Sequence, residues 1–167
     1  MSDMYALDLG RINSMSPYVV TQRLDIPCVY WFYTDFGVEY EIVIKANDTF
    51  IASGAYALDI INVWHQPSPG DPKFRQTPMA IVEEFFRQNN DVMLYVTETK
   101  DSKQASRNRL FVRWFNTYEH RDQYVIKTAE GKMDGQMNFM AIILRKDNPR
   151  LQRVFKEFDE TIAFLFD

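Results

Sequence analysis

The side chains best placed to do chemistry lie in the stretch Glu98-Thr-Lys-Asp101-Ser-Lys103-Gln104-Ala-Ser-Arg107. Arg107, Lys103 and Gln104 are hydrogen-bond donors suited to an anion. The start of a helix adds free N–H groups and a positive dipole end. A strand, a short polar turn and a cationic helix start together favour a phosphate-bearing ligand. Advancing about 100° per residue from Lys103 places Leu110, Phe111, Trp114, Phe115 and Tyr118 in one wedge. Arg107 falls in the middle of that wedge, and Lys103 and Gln104 fall near its margins. Arg109 and Arg113 point to solvent. A guanidinium on an apolar face must meet a carboxylate, a carbonyl, water or a ligand. The structural alternative is an ion pair with Asp101, Glu98 or another acid at the core edge that fixes the helix to its sheet. Arginines find structural partners more often than ligands, and no glycine lies between Thr97 and Arg107 to admit a phosphate loop. Lys103, Gln104, Arg107, Glu98 and Asp101 are thus candidates for anion or partner binding, and no catalytic residue is identified.

Other constellations are weaker. The two histidines, His65 and His120, lie beside expected loops and outside metal-ligand spacing, and Cys28 has no partner nearby in sequence. No metal and no cofactor is expected. Asp35-Phe36-Gly37 matches a kinase tripeptide in letters but sits between two strands and reads as a turn. Glu98-Thr99-Lys100 resembles the acid-x-lysine element of metal-dependent nucleases, with Asp59 as the one tolerable second acid. The run Tyr30-Trp31-Phe32-Tyr33 could stack bases if exposed. Adjacent aromatics face both sides of a sheet, so half of them must look away from the helices. No lysine or arginine is interleaved there, which favours packing against a loop or a second subunit.

The chain of 167 residues has 46% hydrophobic and 25% charged residues, the balance of a globular protein able to bury a real core. Its net charge of −4 argues against wholesale nucleic-acid binding, though a local basic patch remains compatible with an anion. A lone cysteine cannot form an internal disulfide, which fits a reducing compartment. The start, with Asp3 and Asp8, lacks a signal peptide's basic and apolar regions. The longest apolar run, Phe139 to Leu144, is far too short to cross a bilayer. The expectation is a cytoplasmic protein without membrane contact.

Several elements must position these residues. Residues 1–16 lack periodicity and read as a loose arm, leaving 17–167 as one domain. Pro17–Leu24 reads as an edge strand. Cys28–Thr34 and the alternating Val38, Tyr40, Ile42 and Ile44 form a hairpin around Gly37, with Glu39, Glu41 and Lys45 on the wet face. A strand follows within Tyr56–Val63, then a proline-rich loop from His65 to Pro72. Thr77-Pro78 opens a helix that sets Ile81, Val82, Phe85 and Phe86 against Glu83, Glu84 and Arg87. Val92–Thr97 is a strand and Ser102 to about Tyr118 a helix. Gln123–Lys127 and Gln136–Arg145 are strands joined by a turn holding Gly131 and Gly135. Asn148 caps a last helix striped by Leu151, Val154, Phe155, Phe158, Ile162 and Leu165. The order ββββ-α-β-α-ββ-α predicts an α+β fold with three helices covering one face of a mostly antiparallel sheet, one parallel pair being allowed by the crossovers.

Three segments carry a family resemblance. Val92-Met-Leu-Tyr-Val96, Asp101-Ser-Lys-Gln-Ala-Ser-Arg-Asn-Arg-Leu-Phe-Val-Arg-Trp-Phe115 and Arg145-Lys-Asp-Asn-Pro149 resemble a family of small bacterial proteins of unknown function found mainly in Bacteroidota. Tyr33-Thr-Asp-Phe-Gly-Val-Glu-Tyr40 resembles its opening hairpin. The resemblance implies a small stand-alone bacterial domain and names no reaction.

Two functional classes follow. The first is a non-catalytic interaction or regulatory module with a protein partner or a homo-oligomer, because aromatics exceed core needs and no acid–base pair or activated nucleophile is visible. The alternative is a binder or enzyme acting on a phosphorylated small molecule or a nucleic-acid end through Lys103, Gln104 and Arg107. The first is favoured.

Overall fold

The computed structural model describes residues 4–25, 28–98 and 102–166, without the side chains of Glu98 and of residues 102–107. Among these are four α-helices and seven strands, mostly antiparallel. The chain forms two compact units, one from Ser2–Lys45 with Leu58–Asn90, the other from Ala46–Ala57 with Asp91–Asp167.

The first unit begins with α1 (Leu9–Met15), whose N-terminus is capped by Asp8 accepting from the Arg11 N–H. This is the fourth helix, unforeseen because seven residues with one buried member, Ile12, display no period. Strands β1 (Thr21–Gln22), β2 (Val29–Tyr33) and β3 (Glu39–Asn47) follow, with β4 (Ala55–Asn62) beside β3. The expected edge strand over Pro17–Leu24 shrinks to Thr21–Gln22. The β2–β3 turn carries Gly37 at φ +74°, the left-handed conformation that glycine adopts without penalty. Tyr30, Phe32, Tyr40, Ile42 and Ile44 are buried on one sheet face, as the alternation predicts.

Helix α2 (Gln76–Gln88) supplies buried Ile81, Val82, Phe85 and Phe86 to this core. Each phenyl so buried contributes about 2–3 kcal/mol. Two expectations need correction here. The helix starts at Gln76, so Thr77 is not its cap and Pro78 stands in the first turn, where its missing N–H has no intrahelical partner to lose. Glu84, expected on the wet side, is buried, because α1 packs against α2.

The second unit orders its strands β4-β5-β7-β6, with β5 at Met93–Glu98, β6 at Tyr124–Met133 and β7 at Gln136–Arg145. The start of β4 pairs with β5 in parallel, Tyr56 opposite Met93. The other pairings are antiparallel. Strand β6 continues to Met133, so Gly131 lies within it and the turn is Asp134-Gly135, both at positive φ. Helix α3 (Ser102–Thr117) follows β5, and α4 (Leu151–Leu165) ends the unit.

Val154 and Phe158 of α4 join Leu94, Met140, Ile142 and Leu144 in a buried cluster, with Leu151, Phe155 and Ile162 packed against it. On α3, Phe111 stacks on Tyr95 at 4.3 Å between ring centroids. Successive side chains of a strand face opposite ways, so α3 and α4 cover opposite faces around Leu94 and Tyr95, and the expectation that the helices all lie on one face is corrected. That is why β7 is buried almost throughout. Asn148 does not cap α4, which has Arg150 at its cap position. Its side chain instead accepts from the Arg150 N–H at 2.8 Å, closing a turn ahead of the helix.

Candidate functional site

Strand β5 ends at Glu98 and α3 opens at Ser102, so the backbone carries Lys103, Gln104 and Arg107 through the first two turns of a helix that follows a strand. Asp101 lies outside the described residues, as do the side chains of Glu98, Lys103, Gln104 and Arg107. The acid-x-lysine element at residues 98–100 falls in the same stretch. Further along α3 the buried residues are Asn108, Phe111 and Phe115, while Leu110 is 40% exposed and Trp114 is half-buried. The buried arc is therefore turned towards Asn108 and away from the wedge that the apolar residues alone suggest. Asn108 is accommodated in that arc by Thr97, whose Oγ1 donates to its Oδ1 at 3.4 Å. Arg109 and Arg113 are exposed, as expected.

Among the described residues no group of three or more His, Cys, Asp or Glu side chains could hold a metal ion. His65 and Cys28 both have positive φ, at +52° and +66°, and belong to loops flanking the strands. Burial pushes the Cys28 thiol above its ordinary value, so its thiolate is disfavoured.

The most developed surface of the first unit is the other face of its sheet, opposite the core. Tyr30 and Phe32 turn inward, so Trp31 and Tyr33 turn outward, and their rings meet edge to face at 5.4 Å. Cross-strand register sets Trp31 opposite Glu41 and Tyr33 opposite Glu39. On the edge strand Thr21 stands opposite Trp31, and Arg23 just beyond reaches the Glu41 carboxylate at 3.3 Å. From the far side, the N–H of Val63 donates to the Glu39 carbonyl, which brings Trp64 alongside. The Trp64 Nε1–H donates to Glu39 Oε2 at 2.6 Å. The result is a row running Arg23, Glu41, Trp31, Tyr33, Glu39, Trp64.

Tyr33 is 53% and Trp64 is 69% exposed, and Phe36 in the adjoining turn is exposed as well. Partial desolvation, then the charge and hydrogen bond of Glu39, hold the Tyr33 phenol above its ordinary value, so it remains a neutral donor. The row offers aromatic faces around a carboxylate and no nucleophile or acid–base pair. The outward turn of Trp31 and Tyr33 was legible from the run of adjacent aromatics. Glu39 and Glu41 were legible only as wet-face acids, and Trp64 was not linked to them, because its approach depends on where β4 ends.

The family model described as a family of unknown function (DUF6169) matches residues 70–160. This is more than half of the chain, which belongs to that family. The matched residues span α2 through most of α4 and begin after Trp64, so the aromatic row precedes them. No curated protein matches the chain, and no solved structure matches it.

Proposed function

We propose that the protein is a non-catalytic interaction module whose binding surface is the open face of β2 and β3. The single observation that carries this reading is the grouping of Trp31, Tyr33 and Trp64 around Glu39 on the side of the sheet away from the core, with Tyr33 and Trp64 more than half exposed. Exposed aromatic surface is costly to hydrate and is enriched where proteins meet. The large rings are also held in place, Trp31 and Tyr33 by each other and Trp64 by Glu39. A binding face fixed in advance loses little entropy on association.

The test is photo-crosslinking in cells that make the protein, with a benzoylphenylalanine in place of Tyr33 and, as a control, in place of Met137 on β7. A discrete adduct from position 33 that Trp64→Ala removes supports the reading. No adduct, or equal adducts from both positions, defeats it.

A second reading, binding of a phosphorylated small molecule or a nucleic-acid end at the start of α3, draws support from the succession of β5, ending at Glu98, and a helix beginning at Ser102. Thermal shifts against inorganic phosphate, nucleotides and short oligonucleotides test it. A shift that a folded Arg107→Ala variant loses favours anion binding, and its absence with every compound counts against it. A ligand at a hundred times its dissociation constant stabilises by roughly 2.7 kcal/mol, several degrees for a chain of this size.

A further inference from the structure

We infer that the open face of β2 and β3 takes a cationic segment of another polypeptide, with an arginine or lysine side chain seated over Tyr33 and Trp64 against the Glu39 carboxylate. The inference rests on the interaction reading of the same face and names the chemistry of its occupant.

Glu39 carries the argument. Its carboxylate accepts from the Trp64 indole and lies beside the Tyr33 phenol, and neither partner brings a positive charge to it. Among the described residues no arginine or lysine forms an ion pair with it. Glu41, the next acid on the same face, already has its cation, since Arg23 reaches it from the edge at 3.3 Å. Arg23 thus shows within the chain itself what the face attracts: a guanidinium beside an aromatic strand and a carboxylate. At Glu39 the acid and the aromatics are present, and among the described residues no arginine or lysine pairs with it.

A cation over an indole or phenol face is drawn by the ring quadrupole, and a carboxylate at the rim adds charge-assisted hydrogen bonds. Arginine suits this geometry best, because its planar fork stacks on a ring and pairs with an acid at once. The net charge of −4 also favours approach of a basic partner.

Other occupants fit less well. A purely apolar partner would strip water from Glu39 without replacing it. Nucleic acid would bring phosphates against Glu39 and Glu41. A second copy joined about a two-fold axis through this face would set each carboxylate row against its own image.

The experiment is a tryptophan-fluorescence titration of the full chain with a capped Gly/Ser peptide bearing two arginines. The same peptide with citrulline in their place is the neutral probe. Sedimentation velocity of the protein alone runs in parallel. The variants are Glu39→Gln and Trp64→Leu, with Glu130→Gln on β6 as an acid outside the face, and circular dichroism confirms that each is folded. Expected is saturable binding of the arginine peptide that weakens as salt rises, drops about tenfold in Glu39→Gln and in Trp64→Leu, and is unchanged in Glu130→Gln. The citrulline peptide should not bind.

Equal binding of both peptides, lost in Trp64→Leu, would overturn the cationic occupant and leave the interaction reading standing with an apolar partner. Self-association abolished by Trp64→Leu, without peptide binding, would do the same in favour of a second copy. Loss of binding in Glu130→Gln as large as in Glu39→Gln would reduce the effect to net charge and overturn the site. No peptide binding, no self-association and no crosslink from position 33 would remove both the inference and the reading beneath it.

Discussion

The Arg150 guanidinium lies 2.6 Å from the Asp91 carboxylate, joining residues 59 positions apart in the sequence. The other arm of the same guanidinium donates to the Ser53 hydroxyl at 2.7 Å and reaches the carbonyls of Ser53 and Gly54. One side chain at the entrance to α4 thus ties together the turn before β4 and the chain two residues ahead of β5. Both partners are mostly buried, with side-chain exposures of 26% and 19%. This is an arginine whose structural role is settled by its partners.

Arg150→Ala should therefore cost about 3 kcal/mol, since it leaves Asp91 and two carbonyls short of donors in a poorly hydrated place. Arg150→Lys should recover only part of the loss, because an ammonium cannot reproduce the forked contact. Urea denaturation reads both values. A cost for Arg150→Ala below that of an ordinary surface ion pair would show that water replaces the guanidinium.

Gly131 is needed for a different reason. A Cβ built on it would lie 2.6 Å from Cγ and 2.7 Å from Cβ of Phe166, the residue that ends α4. Those atoms are close to the Phe166 backbone, so the ring cannot swing aside alone. Gly131→Ala should destabilise by about 1–3 kcal/mol through overpacking. Adding Phe166→Ala should cancel part of the cost, and a double-mutant cycle in urea measures the coupling. Strict additivity would mean that the two residues do not meet in solution.

Tyr18 anchors the proline-rich loop. Its ring stacks against buried Phe32 at 5.9 Å, and its hydroxyl donates to Asp71 Oδ2 at 2.5 Å. Tyr18→Phe keeps the stacking and removes the hydroxyl, so it should cost about 1–2 kcal/mol. It should also speed proteolytic cutting between His65 and Gly70, all of which is exposed. Limited proteolysis followed by mass spectrometry checks this; unchanged cutting would show that the prolines alone stiffen the loop.

Legibility in the sequence followed local signals. The β2–β3 hairpin was readable because alternation and Gly37 agree, and the length of α3 was readable from its polar start and aromatic end. Helix α1 was not, since its one buried residue leaves no period, although Asp8 was available as a cap. Strand β6 was read short because an edge strand, half-buried or exposed throughout, shows no apolar alternation beyond Ile126. Its full extent comes from pairing with β7. The aromatic row shows the same division. The outward turn of Trp31 and Tyr33 follows from strand geometry, whereas the arrival of Trp64 at Glu39, 25 positions away, depends on the tertiary course of β4.

Glu84 was read as a solvent-facing helix acid and is fully buried, which makes it the most informative residue for pH. Burial by itself would raise its pKa. The Arg87 guanidinium at 2.6 Å, the Asp8 backbone N–H at 2.6 Å and the Gln88 amide at 3.4 Å overcome that and hold it below the ordinary carboxylate value. A carboxyl group whose pKa is lower folded than unfolded stabilises the fold at pH above its unfolded value. That stability is lost as pH falls through the folded value. Neutral conditions therefore retain the whole contribution, and the loss belongs to the acid range below the usual carboxylate pKa. Glu84→Gln keeps the size of the side chain but leaves Arg87 without its counter-charge. It should cost about 3 kcal/mol at neutral pH and flatten the acid limb of the stability curve. Urea midpoints measured from neutral to strongly acid pH give both quantities. If the wild-type and Glu84→Gln curves run parallel down that limb, folding does not shift the ionisation of this carboxyl, and the contacts from Arg87, Asp8 and Gln88 do no more than offset its burial.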